Sequence, residues 1–264
     1  MNRNYPSEFI YQVFALLIAF ILVHALYVTW VRPQADAFLE QQAVQLRDHP
    51  DAVQQRSFYV VIKDYEQESC FILMLWALAI LAYKGRAIYH QQRLLQHDLL
   101  QVPDSLPIGR EDTRELAERL NTLPDADRES LLPRALLTAV ERFSATGNVQ
   151  DVSNAARDIC ESEGERLESE LSIIRYIAWA IPSVGFIGTV RGIGDALGQA
   201  HRAVEGDITG VTASLGVAFN STFIALVISI VLMFFIHQLQ LVQERLVLDS
   251  ERYIDLWMIR RLRT

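Results

Sequence analysis

From Ile208 to Gln243 the chain carries no Asp, Glu, Lys or Arg. A run this long and uncharged exceeds what a small aqueous core buries, and it covers the roughly 20 residues that a membrane-crossing helix needs. Three more apolar runs accompany it: Phe9 to Val31, Cys70 to Tyr83, and Ile173 to about Leu197. Hydrophobic residues make up 51% of the 264 positions and charged residues 21%, and the apolar ones concentrate in these runs, so most burial takes place in lipid. The expected fold is all-α: a polytopic membrane protein with four transmembrane helices, and helices that extend into a cytoplasmic helical domain.

The remaining composition narrows the function. With 24 Lys+Arg against 32 Asp+Glu the net charge is -8, and the basic residues do not gather on one stretch, which excludes nucleic acid as the main partner. Cys70 and Cys160 sit in unlike surroundings and give no disulfide framework or zinc spacing. His24, His49, His90, His97, His201 and His237 show no HxxxH or HxH pattern. No metal, no cofactor and no enzymatic chemistry are expected.

Phe9 to Val31 reaches about 34 Å as a helix and crosses a hydrocarbon core with some tilt. Ala35-Asp36-Ala37 resembles a signal-peptide cleavage site, but the apolar stretch is longer than a signal core and Arg32-Pro33 intervenes, so residues 1–31 are assigned to an N-tail and first span. Residues 32–69, with Pro33, His49 and Pro50, form a hydrophilic loop. The second run is short, but Lys84 and Arg86 can snorkel and extend a span over 70–88. A helical, charged segment, 89–172, is broken at Pro103, Pro107, Gly109, Pro124 and Gly147-Asn148, with Gln101 to Arg110 as the clearest linker.

From Asp151 the positions Val152, Ala156, Ile159, Leu167, Leu171 and Ile174 keep a helical period with no proline before Pro182, which predicts one long helix running from water into the membrane. The third and fourth spans occupy 173–236. Residues 237–264 continue as an amphipathic helix through Leu239, Val242, Leu246, Tyr253 and Leu256 toward Arg260, Arg261 and Arg263, which suit lipid headgroups. With Lys84 and Arg86 counted on the side to which they snorkel, 17 Lys and Arg lie in the N-tail, residues 84–172 and the C-tail, against five in the other two loops. This bias puts both termini and the central domain in the cytoplasm and 32–69 in the periplasm.

In the third span Ala178, Pro182, Gly185, Thr189, Gly192 and Ala196 form one stripe of small residues, beside Gly188/Gly192 and Gly194/Gly198 at GxxxG spacing. Such a stripe allows close backbone approach, and plain helix packing accounts for it. The glycines from Gly185 to Gly194 do not form a nucleotide loop, because no strand precedes them and no Gly-Lys-Ser/Thr ending follows. In the fourth span Asn220, Ser221 and Thr222 must face protein or water. Helical rise puts Thr189 about 24 Å and Thr222 about 21 Å above the cytoplasmic ends of their spans, at matching depth. No Asp or Glu lies well inside any span, so a carboxylate for ion passage must come from another chain. Arg191 and Asp195, four residues apart, are able to pair near the outer boundary; snorkelling of Arg191 to headgroups is the simpler reading, and a gate formed by the pair is the functional alternative.

Ile181-Pro182-Ser183-Val184-Gly185-Phe186-Ile187-Gly188-Thr189-Val190-Arg191-Gly192, followed by Ala218-Phe219-Asn220-Ser221-Thr222-Phe223-Ile224-Ala225-Leu226, resembles the signature of the MotA/TolQ/ExbB proton-channel family. The resemblance implies a homopentameric ring in the bacterial inner membrane around two copies of a single-span MotB/TolR/ExbD-like partner with a membrane-embedded Asp. It implies that Thr189 and Thr222 line the ion pathway, with Ser221 and Asn220 beside them, and that Pro182 is the proline near the cytoplasmic part of the helix. Two features depart from the ExbB and TolQ pattern. Val217 stands where those members carry an acidic residue, and four spans look more like MotA. The expected function is an ion-conducting subunit of a motor driven by a proton or sodium gradient; the alternative is a non-conducting membrane scaffold or signalling protein of the same fold. A secondary transporter is disfavoured, because the two halves lack matching broken helices.

Overall fold

The computed structural model describes residues 5–48, 57–100, 102 and 107–263. His49, Pro50, Gln101 and Pro103, used above as breaks and linker, lie outside the described residues. The regular elements are helices: α1 (Tyr5–Leu26), α2 (Arg32–Asp48), α3 (Phe58–Ile62), α4 (Tyr65–Leu94), α5 (Thr113–Asn121), α6 (Asp125–Arg128), α7 (Leu131–Thr146), α8 (Val149–Glu170), α9 (Ser172–Gly198), α10 (Ala200–Val204) and α11 (Thr209–Trp257). A π-turn, Tyr27–Val31, joins α1 to α2. Four stretches of helix are long and apolar enough to cross a membrane: Glu8–Gln45, Tyr65–Leu94, Val149–Gly198 and Thr209–Arg261. The all-α, four-span expectation therefore holds. The chain divides into two compact units, residues 1–81 with 173–236, and residues 82–172 with 237–264.

In the first unit, the buried positions of the first span are Ala19, Val23, Tyr27, Val31 and Ala35, each four residues apart. In a plain α-helix a step of four overshoots one turn by about 40°, so the stripe would drift round the helix. The π-turn, closed by the Arg32 N–H on the Tyr27 carbonyl, lags by a similar angle and returns the stripe to one face. Its cause follows directly in the sequence. Pro33 has no N–H to give the Thr29 carbonyl, and its ring would strike that carbonyl in a tight turn. The widened turn lets the helix pass the proline and carry on as α2.

The predicted long helix from Asp151 is present. Leu171 keeps helical backbone angles between α8 and α9, so Val149–Gly198 runs as 50 residues. The second span starts earlier than its apolar run, since α4 begins at Tyr65 and takes in Glu66, Gln67 and Glu68.

The second unit has an aqueous-type core. Leu116, Leu120, Leu131, Leu136, Phe143, Val152, Ala156 and Cys160 pack with Ile254 and Met258 from the end of α11. Between α7 and α8 the chain reverses in two residues: Gly147, at φ +65°, closes α7 with its N–H on the Phe143 carbonyl. Asn148 then caps α8 by accepting from the Gln150 N–H. Ile108 and Leu262 pair as an isolated bridge, through Ile108 N–H to Arg261 O at 2.8 Å. Lys84 does not snorkel as expected. It is 5% exposed and bonds Glu170 at 2.9 Å, because a carboxylate on α8 lies within reach and a charge-assisted bond replaces headgroup contact.

Candidate functional site

Within the first unit α9 and α11 approach closely at the glycines. A Cβ on Gly188 would sit 2.5 Å from Ser221 Cβ, and one on Gly192 would sit 2.7 Å from the Ser214 carbonyl. Gly185 faces Ala225 in the same way. The buried positions of α9 are Ile174, Ile177, Ala178, Ile181, Gly185, Gly188, Gly192 and Ala196, so Pro182 and Thr189 lie at the edge of the predicted stripe. Gly194 and Gly198 have nothing within 4 Å of a Cβ position, so within this chain only the first GxxxG spacing is a contact.

Pro182 leaves the Ala178 carbonyl without its helical donor. Ser229 Oγ, from α11, donates to it at 3.0 Å. The fourth span's hydroxyl thus repairs the break in the third.

Thr189 and Thr222, from α9 and α11, hydrogen-bond through their hydroxyls. Thr222 Oγ1 also lies 3.2 Å from the Gly185 carbonyl, and Thr189 Oγ1 lies 3.0 Å from the Ala218 carbonyl. Two hydroxyl protons therefore have two consistent arrangements. Thr222 donates to Gly185 while accepting from Thr189, or Thr189 donates to Ala218 while accepting from Thr222. Both hydroxyls are part-buried, and the pair can turn its proton order without moving a heavy atom. Ser221 is buried and donates to the Val217 carbonyl at 2.9 Å. Asn220, half-buried on another side of α11, joins none of these contacts.

Above the pair the first turn of α4 contributes charge. Arg191 donates to both oxygens of Glu66, Nε to Oε1 at 2.7 Å and Nη2 to Oε2 at 2.9 Å. Arg191 thus takes Glu66 rather than Asp195 as its hydrogen-bond partner, while Asp195 stays within electrostatic reach of it. An Arg followed four residues later by an acid is the weaker helical order, and Glu66 offers a bidentate carboxylate. Glu68, 4% exposed, receives Arg32 and lies 2.6 Å from His24 Nδ1. Gln67, fully buried, donates to the Val61 carbonyl at 3.1 Å and to Ser221 Oγ at 3.4 Å.

The sequence alone places Glu66, Gln67 and Glu68 in the hydrophilic loop 32–69 and gives His24 no ligand spacing. The available signal was the acidic residues just before an apolar run, the usual charge of a helix's first turn. Among the described residues no group of three or more His, Cys, Asp or Glu side chains is placed to hold a metal ion.

No curated protein and no solved structure matches the chain significantly. The stretch that carries α8, the close-packed glycines, the threonine pair and most of α11, residues 127–252, matches the family model of the MotA/TolQ/ExbB proton channel family.

Proposed function

We propose that this chain is an ion-conducting ring subunit of a membrane motor driven by a proton or sodium gradient. The observation that carries the reading is the Thr189–Thr222 hydroxyl pair, set at a glycine-lined crossing of two apolar helices inside the family-matched stretch. Its two proton orders suit hand-over of a proton or exchange of a hydration contact, while neither helix supplies a carboxylate at that depth. The carboxylate is then the partner's: an Asp on the single membrane helix of a MotB/TolR/ExbD-like chain, two copies within a ring of five. The ring sits in the inner membrane with both termini in the cytoplasm, as the charge bias supports. Ser221 positions Thr222 by tying α11 to α4, and Pro182 sets the lower crossing.

Thr189→Val with Thr222→Val tests this. Valine keeps the shape and removes both donors. The Gly185 and Ala218 carbonyls retain their own helical N–H partners at 189 and 222, so stability should fall by only about 1 kcal/mol per site. The expected outcome is normal assembly with proton or sodium flux through the partner-containing complex abolished. Flux equal to the parent would leave a non-conducting scaffold as the better reading.

A further inference from the structure

The turn of α4 above the threonine pair holds more polar atoms than its protein partners satisfy. Tyr27 is 2% exposed and Gln67 fully buried, yet Tyr27 Oη and Gln67 Oε1 have no hydrogen-bond partner, and neither has Asp64 Oδ2. The Gln67 orientation is settled by its neighbours. The Val61 carbonyl takes one N–H, and Ser221, whose proton goes to Val217, takes the other, so the amide oxygen is the atom left over. Asp64, Gln67 and Glu68 fall on one face at spacings of three and four. Tyr27 stands over that face, its ring 6.4 Å from Phe71, and Asp64 and Glu68 are within electrostatic reach of it. An unsatisfied buried polar atom costs about 1–3 kcal/mol, and ordered water is the usual remedy. Water fits this set, because it can donate to two oxygens and accept from a tyrosine hydroxyl.

We propose that Tyr27, Asp64 and Gln67 form a hydrated proton-access site joining the outer aqueous face to the Ser221–Thr222 segment. The proposal rests on the ion-conducting reading above. A hydronium outside gives its proton to the Asp64 carboxylate, forming an O–H and leaving water. That O–H later breaks as its proton passes to the ordered water, which becomes hydronium and reverts to water by giving a proton to the partner's membrane carboxylate, the acceptor that the ion-conducting reading supplies. The surrounding charges leave Asp64 as the group able to cycle. Arg191 engages Glu66 on α4, and Arg32 from α2 engages Glu68. Asp64 itself has no such bond: Lys63, Arg191 and Arg32 face it only as counter-charges at a distance and Glu66 as a like charge, and burial outweighs them and pushes the Asp64 carboxyl above its usual range. Ser221 adjoins Thr222 and takes Gln67's hydrogen bond, so the water lies one amide away from the hydroxyl pair.

The test uses the full-length chain co-purified with its single-span partner, in liposomes with an acid-outside gradient and a pH-sensitive dye. Asp64→Asn should lower proton flux about 100-fold, the low end of what a positioned proton-transfer group contributes. Tyr27→Phe and Gln67→Leu should lower it less, and Asp64→Glu should restore most of it. In infrared spectra of the parent, a protonated-carboxyl stretch should titrate above the usual carboxylate range and vanish in Asp64→Asn. If Asp64→Asn conducts like the parent while the threonine double variant does not, the access site is wrong and the ion-conducting reading stands. If the threonine variant also conducts like the parent, or the parent passes no protons, the access site falls with the ion-conducting reading. A carboxyl band unchanged in Asp64→Asn likewise overturns the assignment, independently of flux.

Discussion

At the scale of single residues, Gly192 and Gly194 are close in sequence and opposite in setting. A methyl on Gly192 would press on the Ser214 carbonyl and on the Ala218 N and Cβ, with backbone atoms that cannot swing away. Gly192→Ala should cost about 1–3 kcal/mol of overpacking, partly offset by about 1 kcal/mol of helix propensity. Gly194→Ala meets nothing and should keep the propensity gain alone. Thermal unfolding in detergent should therefore order the three proteins as Gly194→Ala above parent above Gly192→Ala. The GxxxG spacing was legible in the sequence for both sets. Which set touches α11 was not, because it depends on the rotation of α9 about its axis, and that is set by its partner helices.

At the scale of an element, α8 shows how a charged helix is held in the second unit. Glu163 is 2% exposed and accepts from Arg134 of α7 at 2.7 Å and from Arg166 on its own helix. Burial by itself would raise its carboxyl, but the hydrogen bonds and charges of Arg166 and Arg134 together outweigh it and hold the group below its ordinary value. The sign follows from that direction. Glu163 contributes its full stabilisation above the ordinary carboxylate value of 4.5, and the contribution is lost as pH falls below that value through the lowered folded one. Both arginines are about half exposed, and Arg166 also lies 3.4 Å from Glu170, so neither charge is stranded when the Glu163 carboxylate is removed. Glu163→Gln should thus cost about 1–2 kcal/mol at neutral pH, the lower part of the range for a charge-assisted bond, and almost nothing once Glu163 is protonated. Denaturant titrations of the full chain at the two pH values measure the difference. The helical period of α8 was readable from Val152 to Leu171, whereas the pairing of Glu163 with a residue 29 positions earlier has no local signature.

At the scale of the whole molecule, the charge bias makes a topology that labelling can check. Arg114, 88% exposed, is expected inside the cell, and the exposed Glu205 outside. Both native thiols are buried, and burial pushes the Cys160 thiol up to about 11, so background reaction at neutral pH is low. A membrane-impermeant maleimide should label Glu205→Cys in intact cells, and Arg114→Cys only after permeabilisation. Labelling of Arg114→Cys in intact cells would reverse the membrane orientation and the direction of the access site with it.

What the sequence by itself determined is whatever one helix decides alone. Four charge-poor runs must cross lipid, since backbone polar groups there are satisfied only within helices. Helical rise along the third and fourth spans was enough to put Thr189 and Thr222 at equal depth, where hydroxyls in apolar helices seek each other or a carbonyl. The tertiary structure decided what depends on which faces meet. Arg191 turned from Asp195 on its own helix to Glu66 on another. His24 and Arg32 met Glu68, and Gln67 met Ser221, across separations of 36 to 154 residues. The physical reason lies in two local departures from plain helix: a π-turn before Pro33 that keeps Tyr27 on the buried stripe, and an α4 that starts at Tyr65, before its apolar run. The first shifts the buried stripe by a fraction of a turn and the second puts Glu66, Gln67 and Glu68 on a helix, but which neighbouring face each side chain then meets is fixed by packing rather than by the residues along one helix.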